Sequence, residues 1–131
     1  ACPDVLPALT TLKDASIRLA VLSNFTPKML EAAIKSAGLE DLFEHVLSTD
    51  QVRTYKPDPR AYQLAMDALR LQSEDIIFVP FAGWDAAGAK WFRYTTFWVN
   101  RLNLPGEELG VAPDATGGNL ADLVRFVRLG S

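Results

Sequence analysis

Cysteine and histidine are nearly absent. Cys2 is the single cysteine in 131 residues, so no disulfide can form within the chain. Together with a start that lacks the basic and long apolar regions of a signal peptide, this makes a cytoplasmic setting the expectation. His45 is the one histidine. Without Cys or His neighbours it makes no metal site, and a structural role near a strand start is expected of it. No apolar run approaches the roughly 20 residues that cross a bilayer, so a membrane is not an expected partner. Basic residues form no block: 13 Lys and Arg stand against 16 Asp and Glu, for a net charge of −3. Nucleic acid is therefore not an expected partner either. What is plentiful is apolar surface, 49% of the residues, enough for a packed core. The length suits one domain spanning 1–131.

Short apolar runs alternate with helical patterns. Val5, Leu6, Leu9 and Leu12 have helical spacing, with Asp4 placed to cap. Residues 17–22 read as a strand, and Thr26-Pro27 opens a helix that Gly38 ends. A second strand is expected at 45–48, a helix from Asp58 to about Leu71, a strand at 76–79, a helix over 83–92 and a fourth strand at 95–99. The Pro- and Gly-rich stretch from about Asn100 to Gly118 reads as loop, after which Asn119 caps a last helix. Such alternation predicts an α/β fold with a doubly wound parallel sheet of four strands. In that architecture the site lies at the carboxyl ends of the strands. Those ends are Ser23-Asn24, Ser48-Thr49-Asp50, Pro80-Phe81-Ala82 and Asn100-Arg101.

Tyr55-Lys56-Pro57-Asp58-Pro59-Arg60-Ala61-Tyr62 follows the second of these ends. Each proline sets its own φ and restricts the residue before it. Pro59 can open a helix and Asp58 can cap it. Lys56 is thus expected to be a cation held in a stiff loop, able to meet a carboxylate. Standing alone, K-P-x-P would be a solvated lysine in a turn. Ser23-Asn24 would likewise be a turn or a cap, Tyr62 a core residue and Asp85 a first-turn helix acid.

Four segments change that balance: Val21-Leu22-Ser23-Asn24, Tyr55 through Ala65, Gly83-Trp84-Asp85-Ala86-Ala87-Gly88-Ala89-Lys90, and Thr96-Phe97-Trp98-Val99-Asn100-Arg101. In this order they resemble the haloacid dehalogenase superfamily, and the last two resemble its 2-haloacid dehalogenases. The resemblance implies a Rossmann-like core and a metal-independent, cofactor-free hydrolysis of small 2-halo acids through an aspartyl ester. It implies that Lys56 pairs with the nucleophilic aspartate and that Asp85 holds the lysine and helps water attack. Ser23 and Asn24 then bind the substrate carboxylate, with Tyr62 nearby. Lys56 and Asp85 are expected to approach each other.

Two departures from that pattern stand out. No aspartate here follows an apolar strand in a D-x-D/Y-G-T-L type segment, so the nucleophile is absent and the chain by itself is expected to be inactive. The polar S-S-N type run before G-W-D is replaced by Pro80-Phe81-Ala82, which lacks hydroxyl and amide groups. Phe81 also stands about where metal-dependent phosphatases of the superfamily carry an aspartate, which ranks that activity last. The reading is a partial dehalogenase-like core; the alternative is a catalytically dead binding or assembly module. The strands at 17–22 and 75–79 would flank the missing nucleophile strand. An upstream segment is the favoured occupant of that gap. The other two outcomes are a second chain, as in a homodimer, and closure of the two strands on each other.

Overall fold

A computed structural model describes residues 3–101, 103 and 111–130. The order is α1 (Val5–Asp14), β1 (Ala20–Ser23), α2 (Pro27–Ser36), β2 (His45–Ser48), α3 (Pro59–Leu69), β3 (Ile77–Phe78), α4 (Gly83–Trp91), β4 (Thr95–Val99), β5 (Ala115–Gly117) and α5 (Leu120–Gly130). Short 3-10 turns lie at Thr49–Val52 and Ser73–Asp75. Every ladder is parallel, as alternation of strand and helix requires. The chain gathers into two compact units, Ala1–Leu69 and Arg70–Ser131.

In the first unit β1 pairs with β2 in the register Ala20↔His45 to Ser23↔Ser48. Arg18 and Glu44 bracket the start of this ladder with a two-pronged ion pair at 2.7 and 3.1 Å. Helix α2 begins as its sequence predicts: the Thr26 hydroxyl accepts the Met29 N–H at 3.3 Å and Pro27 takes the first helical position. It ends before Gly38, whose φ of 72° is the left-handed turn that glycine adopts without steric cost. Leu30, Ile34 and Leu39 form a buried cluster packed by Val5, Leu9, Val21 and Phe43. Asp4 precedes α1 but makes no side-chain cap bond to it. Helix α3 buries Ala61, Tyr62, Ala65 and Leu69, one stripe at helical spacing. Arg70 follows it at φ 57°.

In the second unit the strand order is β3-β4-β5. The expected count of four strands needs correction, because β5 lies inside the stretch read as loop. Ala115-Thr116-Gly117 has no apolar alternation to announce it. It forms because β4 offers a parallel edge, in the register Phe97↔Ala115 to Val99↔Gly117. The Asn100 N–H prolongs that ladder onto the Gly117 carbonyl at 2.7 Å. Asp114 fixes the entry to β5. Its carboxylate accepts the Thr96 N–H at 2.7 Å and faces Lys90 Nζ at 3.1 Å. Burial pushes this carboxyl up, but the N–H and the lysine outweigh it and leave it below the usual value. The small residues Ala86, Ala87 and Ala89 are the buried face of α4. Arg93, at φ 78°, follows the end of α4, and the Tyr94 ring after it stacks on Phe78 at 5.3 Å. Asn119 caps α5 by accepting the Asp122 N–H at 3.0 Å.

β1 pairs with β2 in the first unit, and β3 with β4 in the second. Ile17 and Ile77 stay 39% exposed, although both runs read as almost wholly apolar, which suits interior strands.

Candidate active site

In the first unit the carboxyl ends of β1 and β2 bring two of the singled-out segments together, the one ending at Asn24 and the one carrying Lys56 and Tyr62, beside Ser48-Thr49. Ser23 ends β1, and its hydroxyl oxygen accepts the Phe25 N–H at 3.0 Å, a tight local turn. Ser48, at the same level of β2, donates its hydroxyl to the Phe25 carbonyl at 2.6 Å. Asn24 lies between them. Its side-chain oxygen accepts the backbone N–H of Lys56 at 2.9 Å and the Thr49 hydroxyl at 3.1 Å. Lys56 Nζ lies 3.4 Å from the Leu22 carbonyl, so its ammonium rests at the end of β1. Tyr62, one turn into α3, is fully buried.

The loop carrying Lys56 is built as its residues predict. The Asp58 N–H returns to the Tyr55 carbonyl at 3.0 Å, and Asp58 Oδ1 caps α3 by accepting the Arg60 N–H at 2.9 Å. The Arg60 guanidinium, followed by that same N–H, holds the Asp58 carboxyl at about 2, down from 3.8. A carboxyl lowered on folding stabilises the fold fully above its unfolded value. That contribution fades as pH falls from 3.8 toward about 2. Carboxyl-carbon NMR should therefore place the Asp58 midpoint near 2, and Arg60→Gln should return it toward 3.8. A wild-type midpoint already at the ordinary value would mean that the Asp58–Arg60 cap does not hold in solution.

In the second unit Asp85 is buried on the first turn of α4, where the helix dipole favours a negative charge. The carbonyls of the preceding loop are hydrogen-bonded, that of Ala82 to the Ala86 N–H at 3.0 Å. The Pro80 carbonyl accepts the Val99 N–H at 3.0 Å, and the Phe81 carbonyl accepts Trp98 Nε1 at 3.2 Å. Phe81 presents its ring, 53% exposed, with the Arg101 guanidinium 5.4 Å from the ring centroid. Ala82 stands at the N-cap of α4 with no side-chain cap bond. Of the tryptophans, Trp98 is buried, whereas Trp84 and Trp91 are exposed. Among the described residues no group of three His, Cys, Asp or Glu could hold a metal ion.

Sequence reasoning placed Ser48 and Thr49 at a strand end of the site but assigned them no supporting role. Both are buried polar residues, 0% and 1% exposed, at the end of a strand. Their position in the serine–threonine run that closes β2 was the available signal.

A protein-family model described as a hydrolase, haloacid dehalogenase-like hydrolase, matches residues 1–92. The chain belongs to that family. This dehalogenase-like chain is 45% identical over 111 residues to an (S)-2-haloacid dehalogenase of Pseudomonas sp. (strain YL), covering 85% of this chain and 48% of that protein. The crystal structure of an L-2-haloacid dehalogenase matches with a TM-score of 0.96 at 50% identity, over 98% of this chain and 56% of the other. The L-2-haloacid dehalogenase of Xanthobacter autotrophicus with chloropropionic acid covalently bound matches with a TM-score of 0.90 at 34% identity, over 96% and 60%. The fold is thus the mixed α/β, Rossmann-like one of these dehalogenases. The chain spans about half the length of the curated relatives it matches.

Proposed function

We propose that this chain carries the Lys56 and Asp85 part of a metal-independent, cytoplasmic (S)-2-haloacid dehalogenase. The observation that carries the reading is Lys56, pinned at its backbone by Asn24 and reaching with its ammonium to the end of β1. A carboxylate oxygen attacks C2 of a small 2-halo acid, and the carbon–halogen bond breaks with its electrons leaving on the halide. Water then adds to the ester carbonyl carbon, releasing a 2-hydroxy acid and restoring the carboxylate. Lys56 favours the ionised nucleophile by its charge, and Asp85 takes the proton of the attacking water. Ser23 receives the substrate carboxylate, with Asn24 beside it and Tyr62 nearby. Among residues 1–131 no aspartate stands in the nucleophile's sequence context, so these residues alone give no turnover.

The test is chloride release from (S)-2-chloropropionate. It is measured for residues 1–131 and for a form that also carries an aspartate-bearing first strand. The second form is expected to release chloride, and Lys56→Met or Asp85→Asn to lower its rate by about 10²–10⁴-fold with the fold retained. Release by residues 1–131 alone would reveal another nucleophile. A second reading, a catalytically dead binding module, draws on the Pro80-Phe81-Ala82 loop, whose three carbonyls are already bonded and whose exposed group is a ring. No release from either form would favour it.

A further inference from the structure

We propose that Asn24, supported by Thr49, is a positioning residue that sets Lys56 by its backbone. This rests on the reading of Lys56 as catalytic.

A backbone N–H can only donate, so the Lys56 N–H, 2.9 Å from the Asn24 side chain, requires the carboxamide oxygen to face it. That settles which way the amide points. The oxygen has two lone pairs, and the second accepts the Thr49 hydroxyl at 3.1 Å. The oxygen therefore has no capacity left for another donor. Thr49 is 0% exposed, so its hydroxyl is committed to this contact inside the protein.

The three partners come from three separate segments: the turn after β1, the 3-10 turn after β2, and the proline-rich loop. One amide oxygen ties them together across 25 and 32 residues of sequence. Lys56 is thereby referenced to β1 twice, at its N–H by Asn24 and at its ammonium by the Leu22 carbonyl, 3.4 Å away. A lysine stem has four flexible carbons and no fixed geometry of its own. Holding both of its ends against the last residues of one strand supplies that geometry. Displacement of a reacting group by about 1 Å can cost roughly 10²-fold in rate. A clamp on the lysine's backbone should thus appear in turnover and not in substrate affinity.

The test compares Asn24→Ala, Thr49→Val and Thr49→Ser with wild type. In residues 1–131, amide hydrogen exchange at Lys56 should accelerate at least about tenfold in Asn24→Ala and Thr49→Val, and recover in Thr49→Ser, which restores the hydroxyl. The amides bonded within the β1–β2 ladder should keep their protection. In the form bearing the nucleophile strand, kcat should fall by about 10²-fold in Asn24→Ala with KM nearly unchanged. Unchanged Lys56 exchange in both Asn24→Ala and Thr49→Val would overturn the proposal. So would a raised KM at constant kcat, which would make Asn24 a substrate ligand. If Asn24→Ala fails to fold, the Thr49→Val and Thr49→Ser pair decides the exchange result. If wild type releases no halide, the dehalogenase reading fails, and the exchange arm still reports whether Asn24 sets Lys56.

Discussion

Tyr62→Ala should destabilise the first unit by about 3–5 kcal/mol, the range for deleting a large aromatic side chain from a core. Tyr62 is 0% exposed, one of the two largest fully buried side chains among the described residues, and shares the inner face of α3 with Ala61, Ala65 and Leu69. Its neighbours along the helix are mostly small, so they cannot close the space it leaves. Since a domain retains only about 5–15 kcal/mol in total, urea unfolding should shift to a much lower midpoint. Tyr62→Phe keeps the ring and removes only the hydroxyl. It should unfold between wild type and Tyr62→Ala, about 1 kcal/mol below wild type for the loss of a buried, hydrogen-bonded hydroxyl. A Tyr62→Ala loss below about 1 kcal/mol would show that the ring is not core in solution.

Gly117→Ala should cost about 1–3 kcal/mol through overpacking, though it adds a single methyl group. A Cβ at Gly117 would lie 2.6 Å from Asp122 Cβ and 2.7 Å from Phe97 Cζ. Neither atom can step aside cheaply. Asp122 Cβ is bound to the α5 backbone, and its carboxylate accepts the Gly118 N–H at 3.0 Å. Phe97 is 2% exposed, with its ring 5.3 Å from that of Phe126. Gly118 is the control: a Cβ there meets nothing within 4 Å. Thermal unfolding should separate the two, with Gly118→Ala within about 0.5 kcal/mol of wild type. Equal stabilities would mean that β5 and α5 do not approach as closely as described.

These two cases mark where local sequence stops informing. Helical spacing places Tyr62 on α3, and turn chemistry places caps at Thr26, Asp58 and Asn119, because each depends on residues within four positions. β5 was illegible because three residues with no apolar alternation become a strand only when β4 presents an edge. The clamp on Lys56 was illegible for a similar reason. Asn24 reads equally well as a turn, a cap or an anion ligand, and only a contact 32 residues away selects among them. The resemblance to dehalogenases brought Lys56 and Asp85 forward, but it said nothing of Thr49, whose contribution is to orient another side chain.

Arg70 and Arg93 end their helices in the left-handed region, at φ 57° and 78°, where an L side chain costs about 1–2 kcal/mol. Glycine would relieve that cost, yet it brings a more mobile unfolded chain, worth about 0.5–1 kcal/mol. It would also remove a cation from a helix C-terminus, worth about 0.3–1 kcal/mol. The opposing terms nearly cancel. Arginine and glycine are therefore close to interchangeable at these two junctions, and relatives should drift between them without selection on stability choosing a winner.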